Sequence, residues 1–530
     1  MKKIFVFVFA IAFISANAQK QSISVEDVWR DKTFMPAFFS GFNSMNDGVS
    51  YTDVDENGDL VKYELKTGNK MSVLVKASEL TPEGRSEKIK IQDYTFSDDE
   101  TKLVLKNDYK AIYRRSGTAT NYVFDLKTRK LKALSDNGKQ MFATLAPVGN
   151  KVAFVRDNDL FMKDLDNNTE KGITSDGENN KIKNGWADWV YEEEFSKAES
   201  FFWNSSGTKI AFIRYDESKV KEFEMALYNG LYPEQYKFKY PKAGEDNSIV
   251  SVHIYDLASK KITPVDIGKE TNIYIPRIIW TNDPNILSVQ RMNRLQNKLE
   301  LLFADATTGT TKVILTEEAK TYIDITDDLT FLPNNKGFIW SSEQDGYNHL
   351  YHYDFTGKLV NQVTKGNWDI MEFKGYDEAA KTLYYVSTEV SPTDRDVYAV
   401  SLDGKTKKKL STQKGTTDVD FSKSFKYYVS TYSNANTPFV FELHSSDGKL
   451  IKVLEDNKAL KDKLAGYDIA KKEFFTFKTS EGVELNGWMM KPSNFDAAKK
   501  YPVFMFAYGG PGANECNNQW ELYDYPWHQV

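Results

Sequence analysis

The chain has 530 residues, 41% of them apolar and 14% aromatic, which exceeds the usual size of one domain and is ample for packed cores, so disorder is excluded. Its formal charge of −6 is spread over mixed Lys and Glu segments, without the basic stripe that a nucleic-acid binder needs. Cys516 is the only cysteine, which excludes an internal disulfide, and the five histidines show no zinc-ligand spacing.

At the amino terminus, Lys2 and Lys3 precede an apolar run from Ile4 to Ile14 and then Ala16-Asn17-Ala18. This pattern predicts a secretory signal peptide over residues 1–18, with cleavage before Gln19. The run is short for a membrane span, and nothing later approaches the roughly 20 apolar residues that a spanning helix requires. The mature chain is therefore expected to be exported, periplasmic or secreted, with no membrane anchor. Export without disulfides suits a bacterial periplasm.

After a lead-in segment at 19–37, a unit recurs: an apolar strand, a polar turn, then a second strand ending in an Asp-Leu or Asp-Gly turn. Copies run from Phe38 to Asn69, Tyr94 to Leu105, Thr144 to Leu165, Phe201 to Tyr215, Ile278 to Gly309, Thr330 to Lys358, Gly375 to Lys405 and Asp420 to Lys449. Their starts recur at about 45 to 57 residues with one longer interval, the signature of a β-propeller. Eight copies predict an all-β, eight-bladed propeller over 38–463, although short strands of this kind also build β-sandwiches. The longer interval, Asp216 to Ser248, is rich in aromatics (Tyr228, Tyr232) and reads as an insertion projecting from a blade. His349 and His352 read as polar residues on a strand pair.

The run Asp188-Trp189-Val190-Tyr191-Glu192-Glu193-Glu194-Phe195 is chemically pointed. Adjacent carboxylates repel unless a cation joins them, and an ammonium, with three donors and one positive charge, suits such a pair. The competing reading is an acidic turn on a solvated face.

Around Leu464 the repeat ends. Strands at Glu473–Thr479 and Glu481–Trp488, joined by a Gly-containing turn, predict a hairpin opening a second domain at 464–530. The stretch from Lys499 to Gly512 reads as an apolar strand, centred on Val503–Ala507, entering a Gly-rich loop. About sixty residues are few for a sheet domain with its own core, so these strands are expected to lack cover.

Asp188–Phe195 resembles the signature of the dipeptidyl peptidase IV branch of the prolyl oligopeptidase family, serine peptidases that remove dipeptides from peptide amino termini. Trp203-Asn204-Ser205-Ser206-Gly207-Thr208-Lys209-Ile210-Ala211-Phe212 and Tyr240-Pro241-Lys242-Ala243-Gly244 extend the resemblance, which covers essentially the whole chain. It implies that Glu193 and Glu194 hold the substrate ammonium while Glu192 is structural. Tyr113-Arg114-Arg115-Ser116-Gly117-Thr118-Ala119-Thr120 resembles the segment whose arginine reaches the same pocket, which points to Arg114. Tyr508 would donate to the oxyanion from an early strand of an incomplete α/β-hydrolase domain. The resemblance further implies peptide substrates with a free amino terminus, Pro or Ala at their second position, a homodimer using excursions such as 216–248, and neither metal nor cofactor.

Family members carry Ser, Asp and His in that order, the Ser on a G-x-S-x-G elbow, and none of the 530 residues forms that motif. The expectation is a chain cut off before its triad and inactive by itself. The alternative is a catalytically dead propeller that binds peptide amino termini or partner proteins.

Overall fold

A computed structural model describes residues 20–39, 42–147, 150–510 and 512–530, so the expected signal peptide lies outside the described residues. Among them, eight antiparallel sheets follow one another along the chain, at 43–75, 93–133, 141–172, 182–264, 273–318, 330–362, 370–409 and 416–455. They are the blades of an eight-bladed β-propeller. Seven have four strands in sequence order, and the fourth blade has five because Ile182–Asn184 pairs with the end of Lys209–Asp216.

Burial within a blade follows position in the ring. Middle strands are sandwiched between neighbouring blades and are apolar on both faces: Val152, Ala153, Phe154 and Val155 are all buried, as is every residue of Gly337–Ser342. Outermost strands face solvent, and Lys407–Lys409 places three exposed lysines on such an edge, which discourages pairing with another chain. Between blades lie separate apolar clusters, such as Leu60, Leu103, Leu105 and Phe124 between the first and second, or Leu383, Tyr385, Leu332 and Ile339 between the seventh and sixth.

Among the described residues no strand is shared between the first and last blades, and side chains close the ring. Leu65 packs against Val429 and Leu443, Lys423 N–H donates to Ser44 Oγ at 3.0 Å, and Ser424 Oγ donates to the Gly48 carbonyl at 3.0 Å. Gly48 has φ +64°, and a Cβ there would lie 2.1 Å from Ser424 Oγ, so glycine is what admits the eighth blade.

Two flanking regions are tied to the ring. Helix α1 (Val25–Trp29) begins with a capping box between Ser24 and Asp27. Ile23, Val28 and Phe34 bury Leu460 of a later helix (Lys458–Ala465). The side chain of Asn457 accepts from Ala37 N–H at 2.7 Å and donates to the carbonyls of Ala37 and Phe439. The expected boundary at 463/464 falls inside this helix.

Lys472–Lys478 and Glu484–Met490 form the anticipated hairpin. The strand expected at Val503–Ala507 is absent: 501–509 has no regular structure, and Val503, Phe504 and Met505 are 86, 78 and 83% exposed. Its backbone groups have no neighbouring strand with which to form a ladder, so local β-propensity alone does not order it.

The lack of cover expected for these strands does not extend to the whole of 464–530. Asn518 is buried with all its polar groups satisfied: its N–H donates to the Thr393 carbonyl (2.7 Å), its carbonyl accepts from Thr416 Oγ1 (3.1 Å), Oδ1 accepts from Ala435 N–H (3.0 Å), and Nδ2 donates to Asp394 (2.8 Å). Trp520 and Tyr525 are buried beside it, and Trp29 stacks on Tyr523 at 5.6 Å. The last dozen residues thus dock on the seventh and eighth blades and on α1.

Limited proteolysis is expected to cut first within 496–512 and leave the carboxy-terminal piece attached under native conditions. Asn518→Ala orphans the Asp394 and Ala435 groups, a loss of about 2–4 kcal/mol locally, and should release that piece. Native mass spectrometry of the nicked protein reads the outcome, and equal retention in variant and wild type would refute the anchoring role.

Candidate functional site

In each blade the chain runs as an up-and-down meander, so turns joining second to third strands open on one face of the ring. That face carries the loop 112–116 of the second blade, a projecting hairpin (Glu222–Leu227 with Glu234–Lys239) between strands of the fourth, and the turns that grip Asn518. The acidic run enters at the same face, as a short helix, Trp189–Glu194, inserted ahead of the first full strand of the fourth blade.

Aromatics hold this helix down. Asp188 caps it by accepting from Tyr191 N–H at 2.9 Å, its other oxygen accepts from Ser248 Oγ, and burial pushes its carboxyl upward. Tyr191 is buried among Phe195, Tyr215 and Tyr274, and its hydroxyl accepts from Ile275 N–H at 2.8 Å. Trp189 packs on Tyr240, at the base of the projecting hairpin, with ring centroids 4.3 Å apart.

With one face so committed, the three glutamates become inequivalent. Glu192 is buried at 1% exposure, and its Oε1 accepts from the backbone N–H groups of Arg115 (2.6 Å) and Ser116 (2.8 Å). Glu193 is half-buried and receives Arg114 in a two-pronged contact, Nε to Oε2 at 3.1 Å and Nη2 to Oε1 at 2.8 Å. Glu194 is exposed beside it and has no hydrogen bond or ion pair among the described residues. Both end the helix, where free carbonyls face outward and a cation is favoured.

The model of the dipeptidyl peptidase IV N-terminal region matches residues 97–439. The chain is 30% identical to dipeptidyl peptidase 4 of Trichophyton rubrum over 503 residues, covering 91% of this chain and 63% of that protein. It is 29% identical to dipeptidyl peptidase 4 of Arthroderma otae over the same length and shares. The crystal structure of Porphyromonas gingivalis dipeptidyl peptidase 4 superimposes with a TM-score of 0.90 at 37% identity, covering 96% of this chain and 72% of that one. The chain belongs to the dipeptidyl peptidase IV family. It spans less than two thirds of the length of the curated relatives it matches.

In this dipeptidyl peptidase IV family chain, Arg114 meets Glu193, with Glu194 the next residue of the same helix, whereas Tyr508 stands apart from them in the irregular 501–509 segment. Tyr508 is 65% exposed, its ring lies over Gly510, and no hydrogen bond joins it to the other three among the described residues. Of the two neighbouring arginines, Arg114 faces Glu193 while Arg115 donates to Ser196 Oγ at 2.8 Å.

Sequence reasoning missed the buried charges behind the helix. Lys183 and Glu217 pair at 3.3 Å, with the ammonium 4.1 Å from the Trp186 ring centroid, and burial raises Glu217 to about 7. Lys197 is buried with no hydrogen-bond partner among the described residues. No sequence pattern marks either, because each is polar in type and buried only by the fold.

Proposed function

We propose that this chain supplies the propeller and the amino-terminus-reading site of an exported, serine-type dipeptidyl peptidase acting on peptides with a free amino terminus. The observation that carries the reading is the pairing of Arg114 with Glu193 beside an unpaired Glu194 at a helix end. Arg114 neutralises one carboxylate of the pair, leaving net negative charge for a substrate ammonium to meet. Holding that ammonium sets a fixed distance to the bond after the second residue. An internal peptide segment would cover Glu194 without bringing it a cation, and position along the substrate becomes specificity.

On this reading residues 464–530 begin an α/β-hydrolase domain that covers the exposed 474–490 and 501–509 segments, and Tyr508 swings to the developing oxyanion as a hydrogen-bond donor. The 530 residues carry no G-x-S-x-G, so the nucleophile is assigned to sequence outside them. Preference for Pro or Ala at the second position follows the family resemblance. Dimerisation is assigned to the projecting hairpin, whose tip exposes Tyr228, Leu231 and Tyr232.

The test is a matched pair of substrates given to the complete protein: Ala-Pro-4-nitroanilide and its amino-acetylated form. Two charge-assisted contacts of roughly 1.5–3 kcal/mol each predict a preference of about 1,000-fold for the free amine. Comparable rates on both would rule out amino-terminal recognition.

A further inference from the structure

We propose that Glu192 is the positioning residue that delivers Arg114 to Glu193. The inference rests on the reading of Arg114 and Glu193 as part of the amino-terminus site, and concerns the neighbour to which no substrate contact falls.

Arg114 sits on a loop, 112–116, between two strands of the second blade, while Glu193 belongs to a helix leading into the fourth. Nothing within either element fixes their relative placement, and the Arg114 side chain is itself 67% exposed. A long exposed side chain on a free loop would spread over many rotamers, at an entropy cost for each productive placement. What joins the two elements is the Glu192 carboxylate, whose single oxygen takes the two consecutive N–H groups that follow Arg114, at 2.6 and 2.8 Å.

These bonds fix the backbone immediately after Arg114 and so set the direction in which its side chain leaves. A second tie, Arg115 to Ser196, holds the same loop beyond the helix end. The other Glu192 oxygen is buried without a hydrogen-bond partner among the described residues. A buried carboxylate satisfied on one side only is a poor device for stability, since an apolar side chain of similar size often does better. It is a good device for aligning two amides, because charge-assisted bonds are short and directional.

The experiment has two arms. In the 530-residue chain, hydrogen exchange across 112–116 is measured for wild type, Glu192→Gln and Glu192→Ala; Gln keeps the shape and one acceptor, so it serves if Ala compromises folding. Exchange in that loop should rise by about tenfold in Gln and more in Ala, with blade amides unchanged.

In the complete protein, kcat/KM is measured for Glu192→Gln, Arg114→Ala and the double variant, with Glu193→Gln as a control. Glu192→Gln should cost about tenfold alone and less than twofold on the Arg114→Ala background, because a residue acting through Arg114 has nothing left to position. Unchanged loop exchange, or an equal loss on both backgrounds, overturns the proposal while leaving the reading of the site intact. Full activity in Glu193→Gln overturns that reading, and the proposal with it.

Discussion

Glu193→Gln in the complete protein is expected to lower kcat/KM for a dipeptidyl amide by at least about 100-fold, with little change in stability. Both Glu193 oxygens already face Arg114, at 3.1 and 2.8 Å. An amide in that place would turn one NH2 toward the guanidinium, donor against donor, so Arg114 would leave along with the charge. The substrate ammonium would then meet a neutral group where an anion stood and would lose a charge-assisted acceptor, each such loss being worth about 1.5–3 kcal/mol.

Glu194→Gln should cost less, about tenfold, because Glu194 holds no other residue and its amide keeps one carbonyl acceptor. Stability is the discriminating control. The Arg114–Glu193 pair is largely exposed, and such pairs contribute about 0–1 kcal/mol. An unfolding midpoint close to wild type with activity lost would place the effect in recognition. Activity within threefold of wild type for Glu193→Gln would remove Glu193 from the site.

The propeller was legible in the sequence because its information is local. Each blade is a meander of neighbouring residues, so the run of β-branched and aromatic residues in Lys151–Arg156 or Thr382–Ser387 reports a strand whose partners lie a few residues away. The acidic run stood out for a related reason, since its cap, aromatics and carboxylates occupy eight consecutive positions, but its sequence was not read as a helix. The loop bearing Arg114 was found through family resemblance and not through any pattern of its own, and the bonds that tie it to Glu192 span 76 and 77 residues.

What remained hidden depends on distant contacts. Asn518 meets Asp394 across 124 residues and Asn457 meets Ala37 across 420, and neither Asn looks special in sequence. At 503–507 the failure has the opposite sign. Five apolar residues satisfy every local criterion for a strand, yet a strand is a relation to a neighbour, and among the described residues none is present.

Lys197→Met is expected to stabilise the propeller at pH 7 by about 1–3 kcal/mol and to alter its pH dependence. Burial pushes the Lys197 amine down to about 7, and the nearby Arg277 guanidinium acts in the same direction, against the carboxylates of Asp327 and Glu199. An amine depressed in the folded state contributes stability that is fully present above its unfolded value, near 10.5, and is lost as pH falls through about 7. Wild-type stability should therefore gain from this group between pH 7 and 9.5.

Glu199, which accepts from Thr144 Oγ1 at 3.1 Å, has the converse sign. Burial raises it to about 7, so its contribution is complete below pH 4.5 and is lost as pH rises toward 7. Methionine has nearly the shape of lysine and nothing to protonate, so it removes the first dependence. It also removes a cation that favours ionised Glu199, which shifts the carboxylate's loss of stability to higher pH. The difference in unfolding free energy, variant minus wild type, should accordingly be largest near pH 7 and shrink toward pH 9.5. Urea unfolding across that range measures it, and parallel curves for the two proteins would mean that Lys197 carries its charge at neutral pH at no cost, satisfied by water within the fold.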